Sequence, residues 1–451
     1  MENKNGWLKI SEDEKNKVFD FSEDYIKFLN EVKTEREAVC FIKDKLISNG
    51  FKDINEYSSL EQGDKVFYIN KNKSVYAAII GSNNIIDGVN VIGSHIDSPR
   101  LDLKPNPLYE DLEQALLKTH YYGGIKKYQW TCIPLSMRGV VVKTNGDVIN
   151  INIGEDEDDP IFTITDLLPH LAQKQSELKL GEAIKGEDLN VLVGNIPLDK
   201  DNNVKEYILK ILKEKYNFSN EDFMSAELEM VPAFKAKSLG FDKSMVAGYG
   251  QDDRVCSYAN LMSLVNINNP QNTVVSIFAD KEEIGSYGNT GMMSNVFDTF
   301  IIDLIKKTNN DPYELNKLFC NSKMLSADVG AAVDPMYKDA NDLVNSSFIN
   351  HGVELNKYTG SRGKSGSSDA NAEFMAKVRK IMEDENILYQ VSELGKVDLG
   401  GGGTIAFILA NKGMEVVDCG VPILSMHSPY EVSGKLDIYM MYKTYKAFFN
   451  N

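Results

Sequence analysis

Apolar positions along the chain keep two rhythms. Behind Thr34, residues Ala38, Val39, Phe41, Ile42, Leu46 and Ile47 recur at helical spacing until Gly50. Thr34 and Glu37 form a T-x-x-E signature in front of them, which predicts a capped amphipathic helix. KVFYIN, VYAAIIG and VNVIGSH come next; they are short and rich in β-branched and aromatic residues, which predicts strands. That second rhythm returns after Gly248 in TVVSIFAD, KMLSADVG and MEVVDCGVPILSMHS, with longer helical stretches such as NAEFMAKVRKIMED between them. Strand alternating with helix implies a sheet flanked by helices.

The texture differs between these regions. KPNPLYED, from Lys104 to Asp111, reads as a proline-marked loop. VVVKTNGDVININIG carries Asn145-Gly146 between two apolar runs, a hairpin signal. GEDEDDP, Gly154 to Pro160, reads as a solvated acidic turn, since it lacks the spaced ligands of a calcium loop. The expected architecture is α/β: a mixed central sheet flanked by helices, with an inserted mainly-β domain. The sheet domain is expected in two pieces, residues 1–100 and 245–451, with the insertion at 101–244.

Composition narrows the function classes. The chain has 451 residues, 42% hydrophobic and 25% charged, which is ordinary for a globular protein. Its net charge of −17 argues against non-specific nucleic-acid binding and against anionic membrane surfaces. No run approaches the roughly 20 apolar residues of a membrane span. The five cysteines are far apart and form no C-x-x-C pair, so neither a disulfide framework nor a zinc ribbon is indicated. A reducing cytoplasm is the expected location.

The candidate chemistry lies where polar residues follow strand-like runs. His95 and Asp97 follow VNVIGS, Glu282 and Glu283 follow VVSIFADK, Asp328 follows KMLSA, and His427 follows VPILSM. Asp252 and Asp253 sit in GYGQDDRVCS. Singly, each has an ordinary structural use. Jointly they have the composition of a two-metal hydrolytic site, with imidazoles and carboxylates and no thiolate. Such donors suit zinc, cobalt or manganese. Ligands of open α/β sheets collect at the carboxyl ends of strands, so distant residues can converge there. DLGGGGT, Asp398 to Thr404, offers a further possibility, a cradle of backbone N–H groups at a helix start.

GSHIDSPRLDLKP, DDRVCSYANL, DKEEIGS, SADVGAAVDP and MHSPYE resemble, in order and spacing, the motifs of the aspartyl aminopeptidase family of dinuclear zinc exopeptidases. KYTGSRGKSGSSDANAEF, Lys357 to Phe374, resembles the bacterial branch and departs from the eukaryotic pattern. The resemblance implies a metallo-aminopeptidase acting on peptides with acidic first residues, in a large homo-oligomer, typically a dodecamer. It implies that Asp252 bridges two metal ions, that His95 and Asp328 complete one site, and that Glu283 and His427 complete the other. Glu282 would be the general base, and Asp97 would accept a hydrogen bond from the His95 imidazole. His170, in LLPHLAQ, would reach a neighbouring subunit's active site. An acidic substrate residue needs a cation, for which Lys357, Arg362 and Lys364 are the candidates. The rival expectations are a related two-metal carboxypeptidase or deacylase, and a scaffold that has lost turnover.

Overall fold

The computed structural model describes residues 5–200 and 203–451. They form two compact units. The first runs to Asp97, resumes from Ala236 to Met426 and ends with Tyr430–Asn451; the second comprises Ser98–Lys235 and His427–Pro429.

The first unit is built on a sheet that has nine strands among the described residues. They are β1 (Lys52–Asp53), β2 (Lys65–Asn70), β3 (Ser74–Ile79), β4 (Asn90–His95), β5 (Val274–Ala279), β6 (Lys323–Ser326), β7 (Val353–Asn356), β8 (Tyr389–Val391) and β9 (Glu415–Gly420). Their spatial order is β1-β2-β3-β5-β4-β6-β9-β7-β8. β5, β4, β6 and β9 run parallel, β3 and β7 are antiparallel to their inner neighbours, and β8 is an edge strand.

The period of two along the strands sorts side chains onto two faces. Ile92, Val274 and Phe278 enter one apolar cluster. Their neighbours Val91, Val275 and Ile277 enter the other. Every residue of β4 is buried, as expected of a parallel strand covered on both faces. Each such Val or Ile contributes roughly 1.5–3 kcal/mol on burial. The first face is covered by α1 (Glu12–Glu31), α2 (Glu35–Ser48), α3 (Gln251–Val265), α4 (Ala372–Asp384) and α5 (Lys435–Phe449), whose apolar residues share its cluster. The capping box at Thr34 forms: Glu37 N–H donates to Thr34 Oγ1 at 3.3 Å, and Thr34 N–H to Glu37 Oε2 at 3.1 Å.

The second unit holds an antiparallel sheet of six strands among the described residues. Leu135–Val142 and Val148–Ile153 pair as the Asn145-Gly146 hairpin, with Gly146 at φ 92°. The acidic stretch folds as a turn, in which Asp159 Oδ2 accepts the N–H groups of Gly154, Glu155 and Asp156. KPNPLYED departs from the sequence expectation. It lies inside one long strand, Arg100–Asp111, whose ladder shifts register between Leu103 and Leu108. Pro105 and Pro107 have no N–H to donate, and the irregularity falls over them. No helix among the described residues is long and apolar enough to cross a membrane.

Candidate active site

Three parallel strands deliver the first residues. β4 ends at His95, which pairs in register with Ala279 at the end of β5. Ser326, at the end of β6, is level with Gly93, so Asp328 follows on the same edge of the sheet. Beyond Ala279 the chain turns at once. Lys281 adopts a left-handed conformation, φ 66°, and Glu282–Ile284 forms a short 3-10 turn. That turn lets adjacent glutamates serve one place, which an extended strand would forbid because neighbours there face opposite ways. Asp252 and Asp253 are the non-helical opening of α3, joined by a cis peptide bond.

His95 is the centre of the cluster and is buried. Its Nε2 lies 3.2 Å from Asp252 Oδ1, 3.8 Å from Asp328 Oδ1 and 3.9 Å from Glu282 Oε2. Nδ1 lies 3.1 Å from the Asp97 carbonyl oxygen and 3.3 Å from its Oδ1. Asp97 has a second task. Its carboxylate accepts the N–H of Glu282 at 3.1 Å and of Glu283 at 3.2 Å, fixing the turn that carries both glutamates. Around it, Asp253 Oδ2 accepts the His95 N–H at 3.3 Å, and Ser257 donates to the His95 carbonyl at 2.7 Å. Glu431 Oε2 accepts the N–H groups of Gln251 and Asp252, holding the opening of α3.

The electrostatics follow from crowding acids in a dry place. Burial pushes the Glu282 carboxyl up to about 8, and the neighbouring Asp328 adds repulsion. Burial likewise raises Asp328 and Asp253. Burial opposes a charged His95 most strongly, yet hydrogen bonds with Asp252, Asp328 and Asp97 together outweigh it and hold its pKa well above 6.5. A cluster with this excess of carboxylates calls for added positive charge.

The donor atoms are spaced to take it. One group, His95, Glu282 and Asp328, and a second, His95, Asp252 and Glu283, each have donor atoms within 4.8 Å of one another. Imidazole and carboxylate without thiolate is a donor set suited to zinc or a similar divalent ion.

Residues 28–449 match the sequence profile of the aminopeptidase I zinc metalloproteases, M18. The chain belongs to this family. It is 48% identical over 458 residues to a Clostridium acetobutylicum protein described as a probable M18 family aminopeptidase 1, covering 100% of this chain and 98% of the relative. In structure it is similar to the M18 aminopeptidase of Thermotoga maritima, with a TM-score of 0.96, 44% identity and coverage of 100% and 99%. Aminopeptidase I of C. acetobutylicum gives a TM-score of 0.94 at 46% identity, covering 100% of both chains. The protein is therefore a metallo-aminopeptidase of mixed α/β fold, a peptide hydrolase with a metal cofactor.

The remaining expected site residues of this aminopeptidase are in neither donor group. His427 is grouped with the second unit, where its Nδ1 lies 2.8 Å from the Gly124 carbonyl oxygen, and it joins neither donor group. His170 is exposed in the second unit. Lys357 and Lys364 are exposed and reach Asp369, at 3.8 and 2.9 Å. Lys364 also lies 3.7 Å from the centre of the Tyr358 ring. Arg362 is exposed. In the glycine-rich stretch, Gly401–Gly402 pairs with Gly360–Ser361, and the helix after it is only Ala406–Ala410. Its last residue, Thr404, donates to Asp418 Oδ1 at 2.7 Å. Sequence reasoning missed Asp418 and Glu431 as partners, because none of their contacts leaves a spacing signal.

Proposed function

We propose that this aminopeptidase holds two divalent cations, zinc by its family, and releases acidic N-terminal residues from peptides in the cytoplasm. The observation that carries this reading is the convergence of Asp252, Glu282 and Asp328 on one buried imidazole nitrogen. His95, Asp252, Glu283, Asp328 and His427 would hold the ions. When bound, the ions would act as Lewis acids toward the scissile carbonyl and toward water beside it.

The chain's own groups do the rest. Glu282 takes the proton of the attacking water and returns it to the leaving amine nitrogen, so that one water is consumed per bond cleaved. Asp97 accepts from His95 Nδ1, which leaves Nε2 free as a donor toward the cluster. Through the N–H groups of Glu282 and Glu283 it also fixes the spacing between base and ligand. Lys357, Arg362 and Lys364 supply local positive charge for an acidic side chain in a chain that is acidic elsewhere.

The proposal includes assembly into a homo-oligomer, a dodecamer, with His170 serving a neighbouring subunit's site. The yeast aminopeptidase 1 structure, 21% identical, is described as a dodecamer and shares the fold. Metal analysis followed by hydrolysis of aminoacyl chromogenic substrates tests the whole reading. Two ions per chain and faster release of Asp or Glu than of Leu are expected. A panel led by Leu or Met removes the acidic preference, and a requirement for a free substrate carboxylate turns the reading to a carboxypeptidase.

A further inference from the structure

The first unit carries a groove that shares only Lys357 with the residues proposed to act on the substrate. It has a volume of about 720 Å³ and is walled by the edge strand β8, by one face of α4 and by the loop around Leu343. Ala372, Met375, Ala376 and Arg379 face it from α4, at the i, i+3, i+4 and i+7 spacing of a single helix face. The alanines keep that wall low. Apolar Leu343, Val344 and Val391 stand exposed beside it. Its charged lining is of one sign: Lys9, Lys357 and Arg379, with His351, and no carboxylate. This occurs in a chain of net charge −17.

The edge strand supplies the third ingredient. Gln390 pairs with Glu354 of β7, while Leu388 O and Ser392 N bond to Val353 and Leu355. In a parallel ladder of this register, Gln390 turns its own N–H and C=O inward, so those of Tyr389 and Val391 point away from the sheet. Neither residue's backbone has a hydrogen bond on that outer side among the described residues. Unpaired edge groups beside a helix are the setting in which an extended peptide adds as a further strand.

We propose that this groove binds an extended acidic segment of another protein, which adds to β8 and sets its carboxylates against Lys9 and Arg379. Lys9 makes no ion pair among the described residues, so its charge is available. Arg379 donates through Nε to the Tyr389 hydroxyl at 3.1 Å, but its only ion pair among the described residues is a loose one with Glu383 at 3.4 Å, and its side chain is about half exposed, at 48%. Apolar residues at alternate positions of the segment would meet Leu343, Val344 and Met375. The acidic stretch of this chain, Gly154 to Pro160, is not a match for the groove, because Asp159 folds it into a closed turn.

The test uses the full chain and an N-acetylated, fluorescent peptide of alternating Glu and Val, which has no free amine for an aminopeptidase to process. Binding is read by anisotropy against the same peptide with Lys in place of Glu. The acidic peptide alone should bind. The double variant Lys9→Glu, Arg379→Glu should weaken it about 10-fold or more. Val391→Pro deletes one outward N–H at a position where an edge strand tolerates proline, and should weaken binding as well. Both variants should hydrolyse a chromogenic substrate at the parental rate. Equal binding of both peptides, or binding indifferent to both variants, overturns the proposal. So does self-association of the chain that these variants abolish, since a second copy would then be the occupant.

Discussion

Two groups of carboxylates in the first unit, one fully and one largely buried, differ in what surrounds them. Glu354 and Asp437 are fully enclosed, yet each oxygen has its own donor. Ser392 and Ser347 donate to Glu354 at 2.6 and 2.8 Å, and the N–H groups of Gly352 and Asn350 donate to Asp437 at 2.7 and 2.5 Å. Asp437 also sits in the first turn of α5, where a helix favours negative charge. Around His95 the ratio is inverted, and three acids lie within 3.9 Å of one imidazole nitrogen. The first arrangement is complete in itself. The second is complete only with added cations, and that difference, rather than burial, separates a structural acid from a functional one.

The sharpest way to break the contrast is His95→Ala, which removes the donor common to both groups. Metal content and hydrolysis should both collapse, as read by elemental analysis and a chromogenic assay. Retention of either would show that the cluster is structural after all. Next in size, Glu282→Gln should keep its metal and lose about 10²- to 10⁴-fold in rate. Glu283→Gln should lose metal instead, and an exchange of the two phenotypes would reverse their roles.

Asp418 is an intermediate case. Burial pushes its carboxyl up to about 7, against the opposing bond from Thr404. The unfolded chain releases this proton near 3.8 and the folded chain only near 7, so stability falls as pH rises through that window. The accumulated cost is about 4 kcal/mol above it. Asp418→Asn should therefore flatten the dependence of the thermal midpoint between pH 4 and 7, and raise the midpoint at pH 8. A variant with the parental pH slope would place the titration elsewhere. The smallest effect belongs to Asp437→Asn. It leaves one backbone N–H facing an amide instead of an acceptor, which costs about 1–3 kcal/mol. Denaturant midpoints should show this loss, with kcat/KM of the folded enzyme unchanged.

Much of this was legible in the sequence because it is local. The Thr34 capping box, the Asn145-Gly146 hairpin and the buried run ending at His95 each depend on neighbours within a few residues. The bend after β5 was also legible, since Glu282 and Glu283 can share a site only if the chain leaves the strand at Lys281. What the sequence hid was long-range and polar. Nothing in the spacing of Asp97 announces that it grips the backbone of Glu282 and Glu283, or that Glu431 holds the start of α3. The strand through Lys104–Leu108 was hidden for another reason, because its prolines mimic a loop while the ladder resumes beyond them.

β3 and β4 are consecutive in the chain but not in the sheet, for β5 is seated between them. During synthesis, the gap between these two early strands cannot be filled until Ala279 has left the ribosome, and Asp328 comes later still. Closure at such sequence separation is entropically costly and slow. A nascent or truncated chain thus carries His95 without the groups that would make it reactive. The order of strands acts as a timing device, keeping a peptide-cutting centre incomplete until Asp328 has been made.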